Sequence, residues 1–385
     1  MDFELSDEQR ALRQMAREFA DKEVKPVAAQ HDRSGEFPTE VLRKAQRVGL
    51  VNASIPEQYG GAGLSAVDNC ILHEEISAGC AGINTALSVN DLAARPVLLA
   101  GTEEQKQAFL GFLCSGELKI ASYALTEPGA GSDVAGITSK ALRHGDEYIL
   151  NGTKRWITGG GHASWYVVFA YTDPTQPRRG MSALLVWRDT PGVSVTRKED
   201  MMGQRASNTA EIVFEDVHVP AKNLLGREGD GFKIAMATFN HTRPGVGAAA
   251  TGLARAAMEE AVKYAAERQA FGQPIGGFQA IQMLLADMAI DVAAARHLTL
   301  HASWLLDQGR DNQMEAAYAK AFAADMCMRV TTDALQVFGG AGYSREFPME
   351  KFMRDAKIFQ IYEGTSQIQR TIIARGLLLA AGQRL

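Results

Sequence analysis

Residues 148–158 read YILNGTKRWIT, and they decide the fold class because they mark a change from helical to strand periodicity. β-Branched and aromatic side chains fill this stretch and three further short runs at 165–171, 182–187 and 211–219. Within the stretch, Asn151-Gly152 favours a type I′ hairpin turn, since that turn needs positive φ at both central residues. The sequence therefore predicts a central β domain over residues 122–228.

Helical periodicity flanks this region on both sides. Near the amino terminus, Ser6 and Gln9 form a capping-box pair ahead of apolar residues at helical spacing. Toward the carboxyl terminus, four long helical stretches with few prolines suggest a bundle, at roughly 232–270, 276–308, 313–338 and 352–382. We predict an α+β multidomain protein with an N-terminal α-helical domain (1–121), a central β-barrel or sandwich domain (122–228) and a C-terminal four-helix bundle domain (229–385).

Composition excludes several classes of protein. Of 385 residues, 46% are hydrophobic and 22% charged, which is ordinary globular usage. The net charge of −5 offers no bulk attraction for nucleic acid or an anionic membrane. The acidic start MDFELSDEQR lacks an apolar core, so we expect a cytoplasmic protein. The four cysteines are scattered, without metal-ligand spacing, which favours reduced thiols and no metal site.

Two motifs of the β domain could contact a ligand. The small residues of TEPGAGSD, 126–133, would let backbone N–H groups approach an anion such as a diphosphate. The alternative is a glycine-rich loop shaped by turn geometry alone. Trp156 and Thr158 are two residues apart, hence on one side of a strand, and could cover a flat ring and hydrogen-bond its edge. A strand tryptophan is, however, ordinarily a core residue.

The carboxyl-terminal region contains a candidate catalytic base and a motif that only imitates a nucleotide-binding site. Glu363 follows apolar and aromatic residues and precedes a glycine, an environment that could desolvate its carboxylate and raise its pKa. Taken alone, a glutamate there would be solvated surface. Residues 245–250, GVGAAA, imitate a dinucleotide-binding fingerprint but lie in a helical stretch, so they predict close helix packing.

Five separated blocks together resemble the acyl-CoA dehydrogenase family, over nearly the whole chain and nearest to its short- and medium-chain branch. The blocks are TEPGAGSD (126–133), WITGG (156–160), ERQAFGQPI (267–275), FGGAGY (338–343) and IYEGTSQIQR (361–370). The resemblance implies non-covalent FAD and oxidation of a fatty acyl-CoA to its trans-2-enoyl-CoA. It further implies that electrons pass to electron-transfer flavoprotein and that the enzyme is an oligomer, a homotetramer built as a dimer of dimers.

The resemblance also implies site residues. Glu363 would be the catalytic base that removes the pro-R α-proton while the β-hydride passes to flavin N5, and its backbone N–H would stabilise the thioester oxygen. FAD would contact Tyr123, Leu125, Thr126, Gly131, Ser132, Trp156, Thr158, Thr365 and Gln367. A neighbouring subunit would add Arg268, Phe271, Gln279, Gln336 and Gly340. The CoA thioester would contact Ser88, Ser132, Asn240, Arg243, Tyr362, Gly364 and Arg375.

Positions that separate the family's branches narrow the expected substrate. Thr242 occupies the place of the base in long-chain and isovaleryl enzymes, which leaves Glu363 as the candidate. Asn84 stands where glutaryl-CoA dehydrogenases place an arginine, so a dicarboxylyl substrate is disfavoured. Ser88 and Val89 resemble the pocket floor of short-chain enzymes. Alternatives remain a same-fold enzyme for a branched, cyclic or specialised CoA thioester, an oxidase using O2, or a non-catalytic CoA- or flavin-binding partner.

Overall fold

The computed structural model describes residues 4–177 and 179–383. Its amino-terminal part is helical, and the predicted capping box begins the first helix: Ser6 Oγ accepts a hydrogen bond from the Gln9 N–H at 3.2 Å. The helices of this part are α1 (Asp7–Phe19), α2 (Ala28–Ser34), α3 (Thr39–Arg47), α4 (Ala66–Gly79), α5 (Ala81–Leu87), α6 (Val89–Ala100) and α7 (Glu103–Cys114).

A mixed sheet follows, in agreement with the predicted change of periodicity. Its strands are β1 (Ile120–Ala124), β2 (Lys140–His144), β3 (Glu147–Ile157), β4 (Ala163–Tyr171), β5 (Met181–Trp187), β6 (Val193–Lys198), β7 (Ala210–Pro220) and β8 (Leu224–Leu225). The order across the sheet is β6-β7-β3-β2-β4-β5-β8, and β1 pairs in parallel with β4. Strand β4 is buried almost throughout, as its run of apolar residues requires.

The hairpin predicted at Asn151-Gly152 is wrong. Strand β3 runs through both residues, and the hairpin between β2 and β3 turns instead at Gly145-Asp146, where Gly145 has φ +64°. Gly152, with φ +153°, lies where the register between β3 and β7 shifts. A Cβ at this position would come within 2.1 Å of Ser139 Oγ. Glycine is therefore required by a bulge and a close approach, not by a turn.

Long helices form the carboxyl-terminal part, although the fourth predicted helix is broken. The helices are α8 (Gly231–Glu267), α9 (Gln279–Asp307), α10 (Gln313–Phe338), α11 (Met349–Lys357) and α12 (Ser366–Ala380). The predicted helix over 352–382 is interrupted at 358–365 by a 3₁₀ turn and a left-handed corner at Glu363 and Gly364. Close helix packing at 245–250 is confirmed, because a Cβ on Gly247 would lie 2.8 Å from Thr299 Oγ1.

Helix α8 joins the amino-terminal helices to the bundle. A Cβ on Gly252 would lie 2.0 Å from the carbonyl oxygen of Glu74 on α4, so the two helices approach closely. Beside this contact, Arg255 Nη2 donates to Glu75 at 2.6 Å, and both side chains are almost fully buried. The boundaries placed after residues 121 and 228 stay predictions.

The cysteines show no disulfide: Cys70, Cys80 and Cys327 are buried, and Cys114 is half-buried. Within residues 4–177 and 179–383, no helix is long and apolar enough to span a bilayer. Across the same residues, no group of three or more His, Cys, Asp or Glu side chains is arranged to hold a metal ion.

Candidate active site

A cavity of about 1440 Å³ opens where the sheet, the amino-terminal helices and the bundle meet. Single-ligand pockets have volumes of roughly 300–1,000 Å³, so this cavity has room for more than one bound molecule. Helices α4, α6 and α8, the end of β3, the loop 126–133 and the segment 361–365 all contribute to its lining. The cavity therefore collects the candidate motifs of the sequence into one place.

The loop 126–133 is fixed from behind by a buried ion pair. Lys154, which is fully buried, donates to Glu127 Oε1 at 2.7 Å and to the Leu125 carbonyl oxygen at 2.9 Å. Glu127 also accepts hydrogen bonds from the backbone N–H and hydroxyl groups of Thr138 and Ser139. Although burial opposes ionisation, Lys154 and these donors lower the pKa of Glu127 to about 2. The loop thus starts from a rigid charged anchor.

The cavity side of the loop is open. Added Cβ atoms on Gly129 or Gly131 would meet no atom within 4 Å, and Ser132 is exposed. At the end of β1, Tyr123 packs against Phe169, and its buried hydroxyl has no hydrogen-bond partner among the described residues. An unsatisfied buried hydroxyl calls for a partner. These features leave polar groups free to meet a ligand.

Trp156 and Thr158 both line the cavity, although strand alternation is not the reason. Trp156 has φ +62° at a register shift, and Thr158 lies just past the end of β3. The Trp156 ring is 47% exposed, so the core interpretation of this tryptophan is wrong. Arg155 lies over its ring, 4.6 Å from the ring centroid.

Glu363 sits at the left-handed corner that breaks the fourth helical stretch. Its φ is +50° and that of Gly364 is +96°, a conformation that only glycine adopts without strain. Thr365 then begins α12, its hydroxyl accepting a hydrogen bond from the Ile368 N–H at 3.1 Å. The corner directs the Glu363 carboxylate into the cavity rather than along a helix surface.

The carboxylate of Glu363 is desolvated and held by one hydroxyl. Thr242 Oγ1, on α8, donates to Glu363 Oε2 at 2.6 Å. Burial raises the pKa of Glu363, while the Thr242 hydrogen bond and the nearby Arg243, Lys320 and His73 oppose that rise. A carboxylate with a raised pKa is a stronger base than a solvated one.

Backbone carbonyl groups of the corner are held by buried cationic side chains. Lys320 Nζ donates to the Gly364 carbonyl oxygen at 2.6 Å, and Arg243 Nε donates to the Glu363 carbonyl oxygen at 3.2 Å. Burial lowers the pKa of Lys320 to about 7, against the opposing field of Glu363. Lys320 was not among the predicted site residues, although a lone lysine among the alanines of 316–324 was a usable signal.

Most of the predicted site residues meet at this cavity. Those that line it are Ser88, Tyr123, Leu125, Thr126, Gly131, Ser132, Trp156, Thr158, Arg243, Tyr362, Glu363, Gly364, Thr365 and Arg375. Seven do not line it. Two of these are Asn240, whose Oδ1 accepts a hydrogen bond from Arg243 at 3.2 Å, and Gln367, which is exposed on α12. The other five, expected to serve a neighbouring subunit, are all exposed: Arg268, Phe271, Gln279, Gln336 and Gly340.

Family models match nearly the whole chain. They are described as the acyl-CoA dehydrogenase N-terminal, middle and C-terminal domains, and they match residues 6–117, 122–217 and 229–378. A curated relative, the probable acyl-CoA dehydrogenase YngJ of Bacillus subtilis, is 46% identical over 98% of this chain and 100% of its own length.

Solved structures agree with this match. Butyryl-CoA dehydrogenase of Megasphaera elsdenii is 42% identical with a TM-score of 0.95, covering 98% of this chain and 100% of its own. A chain from work on the electron transferring flavoprotein of Acidaminococcus fermentans is 44% identical, with the same TM-score and coverage. The prolyl acyl carrier protein oxidase AnaB is 31% identical, with a TM-score of 0.94 over 97% of this chain and 100% of its own. The predicted fold class is confirmed, and the chain belongs to the acyl-CoA dehydrogenase family of FAD-dependent oxidoreductases.

Proposed function

We propose that this enzyme removes the α- and β-hydrogens of a short- to medium-chain acyl-CoA, giving the trans-2-enoyl-CoA, with Glu363 as the base. The observation that carries the proposal is the Glu363 carboxylate, which enters the cavity desolvated and bound to a single hydroxyl, that of Thr242. Burial keeps its pKa above the ordinary value, so it accepts a proton more readily than a solvated carboxylate.

The cavity fits the family's cofactor. The unpartnered Tyr123 hydroxyl, the half-exposed Trp156 ring and the open backbone of 129–132 are free to meet a flat ring and a diphosphate. Leu125, Thr126 and Thr158 complete the set that would hold FAD. When bound, FAD supplies the acceptor for the hydride that leaves the β-carbon.

The chain's own residues manage the α-proton. Thr242 and the corner backbone fix the Glu363 carboxylate in one orientation. This lowers the entropy that is lost when the carboxylate is aligned with the α-C–H bond. Among the described residues, the Glu363 N–H has no acceptor, so it is free to donate to the thioester oxygen as negative charge develops there. In other enzymes such a donor lowers the barrier by about 2.7–4 kcal/mol.

Three further points are part of this proposal. The electron acceptor is electron-transfer flavoprotein, and the location is the cytoplasm.

The assembly is a homotetramer in which the exposed Arg268, Phe271 and Gln279 of one chain reach the cofactor of another, with Gln336 and Gly340 beside them. The exposure of Phe271, 95% in the single chain, supports this arrangement because a large ring of that exposure is typical of an interface.

Anaerobic mixing of the purified yellow holoenzyme with butyryl-, hexanoyl- and octanoyl-CoA tests the reaction. The flavin absorbance is expected to bleach with at least one of these, and an enoyl product is expected in equal amount. If the oxidised spectrum persists with all three straight chains and with branched ones, the proposal is wrong.

The acceptor is tested separately, because the oxidase AnaB shares the fold. Turnover is followed with electron-transfer flavoprotein in the absence of oxygen, and with oxygen alone. Peroxide formed at the rate of substrate turnover would replace the dehydrogenase assignment with an oxidase one.

A further inference from the structure

Several polar side chains line the same cavity as Glu363. His73, on α4, acts electrostatically on Glu363, and its Nε2 lies 3.4 Å from Asp91 Oδ2 on α6. Asp91 also accepts a hydrogen bond from the Ser54 hydroxyl at 2.5 Å. An unsubstituted hydrocarbon chain would not stabilise such a lining, because a polar group that is buried without a hydrogen-bond partner loses the free energy of its hydration.

Arg95 is a further polar residue of the cavity lining. It lines the same cavity from α6, seven residues after Ser88, which places its Cα roughly 10 Å further along the helix. Its Nε is buried without a hydrogen-bond partner among the described residues. The Asp91 carboxylate, one turn earlier on the same helix, acts on Arg95 electrostatically but does not accept a hydrogen bond from that Nε. Arg243, on the opposite helix of the cavity, differs because it donates to the Glu363 carbonyl oxygen and to Asn240.

A buried guanidinium nitrogen without an acceptor is costly, as Arg95 Nε is here. Leaving a buried donor unsatisfied costs about 1–3 kcal/mol, and more when the group is charged. The neighbouring His241 does not share the charge, since burial and the field of Arg95 lower its pKa to about 4. Asn69, one turn before His73 on α4, also lines the cavity, and its Oδ1 is likewise buried without a partner. Two orphaned polar groups in one cavity point to a polar ligand group.

We propose that the acyl group of the substrate carries an oxygen acceptor beyond its β-carbon, a carbonyl or carboxylate oxygen, and that Arg95 binds it. This inference rests on the proposed function and specifies its substrate class. The planar guanidinium has five donors and suits either oxygen group. The sequence disfavoured a dicarboxylyl substrate because position 84 is Asn84 and not an arginine. The cavity nevertheless contains a cation that could bind an oxygen group of the substrate, because Arg95 lines it from α6.

Three thioesters of equal chain length test the substrate class. Hexanoyl-CoA, 5-oxohexanoyl-CoA and adipoyl-CoA are mixed with the holoenzyme without oxygen, and the second-order rate of flavin bleaching is measured for each. At least one oxygen-bearing thioester is expected to react tenfold or more faster than hexanoyl-CoA. A preference for adipoyl-CoA identifies a carboxylate, and one for 5-oxohexanoyl-CoA identifies a carbonyl group.

The variant Arg95→Met tests the residue. The ratio of the preferred thioester's rate to that of hexanoyl-CoA is expected to fall at least tenfold. The control is Arg310→Met, which removes an exposed arginine that lies over the Trp304 ring, and its ratio is expected to match the wild type. Flavin content and melting temperature show whether each variant is folded. If Arg95→Met does not hold FAD, Arg95→Lys is used instead, because lysine keeps the charge but lacks the planar guanidinium that donates two parallel hydrogen bonds. The rate ratio is then expected to fall, but by less than in Arg95→Met.

The outcomes separate this inference from the proposed function. If hexanoyl-CoA bleaches the flavin at least as fast as both oxygen-bearing thioesters, the inference is wrong and the dehydrogenase function stands. If an oxygen-bearing thioester is preferred but Arg95→Met keeps the ratio, the assignment to Arg95 is overturned. If no thioester bleaches the flavin, both proposals fail.

Discussion

Replacing Thr242 by valine removes the hydroxyl that holds the Glu363 carboxylate while nearly preserving side-chain volume. Thr242 Oγ1 donates to Glu363 Oε2 at 2.6 Å, a hydrogen bond that only the ionised carboxylate accepts fully. This hydrogen bond lowers the pKa of Glu363 against the effect of burial. Its loss therefore raises that pKa further, and the base is protonated over a wider pH range.

Hydrogen bonds to charged groups contribute about 1.5–3 kcal/mol, so losing this one has a measurable effect on the ionisation of Glu363. We therefore expect the pKa of Glu363 to rise in Thr242→Val, because burial then acts with less opposition. The rate increases with pH as Glu363 ionises, so the acid limb of the rate profile moves to higher pH.

Stopped-flow bleaching of the flavin at low acyl-CoA concentration, repeated across a pH series, measures this limb in the free enzyme. Thr238→Val is the matched control: Thr238 lies one turn earlier on α8, is fully buried, and its hydroxyl has no partner among the described residues. Its acid limb is expected to match the wild type. An unshifted limb in Thr242→Val, with FAD bound, would refute the role given to this hydroxyl.

Two further predictions concern stability. Lys154→Met leaves Glu127 buried without its cation, which should cost about 3–5 kcal/mol; a melting temperature and flavin content equal to the wild type would contradict the anchor role of this pair. Gly252→Ala should lower the melting temperature, because its Cβ would lie 2.0 Å from the Glu74 carbonyl oxygen. In Gly245→Ala, on the same helix, the added Cβ would lie 3.5 Å from its nearest neighbour, His73 Cδ2, which is an ordinary contact, so the melting temperature should not fall. Equal effects in the two variants would contradict the role given to close packing at Gly252.

Periodicity predicted the fold because each region has a consistent local signal. Helical spacing and the capping box at Ser6 specify α1, and alternating or continuous apolar runs specify β4, β5 and β7. The error at Asn151-Gly152 arose because an Asn-Gly pair indicates positive φ at the glycine without showing whether a turn or a bulge requires it. Only the approach of Ser139 from another segment separates the two cases.

The candidate site was predictable only where a local sequence motif marks it. Motif blocks located Trp156 and Glu363, but the left-handed corner at 363–364 lies in a stretch whose spacing is helical on both sides. Lys320 and Arg95 were missed because each looks like an ordinary charge on a helix. Their importance comes from burial against elements distant in sequence, which periodicity does not report.

The base assignment is tested most directly by Glu363→Gln, which keeps the shape of the side chain and removes its ability to accept a proton. The holoenzyme variant is mixed anaerobically with the thioester that bleaches wild-type flavin fastest. We predict that FAD stays bound, that the thioester still binds, and that bleaching is abolished. Bleaching at close to the wild-type rate would show that another group removes the α-proton.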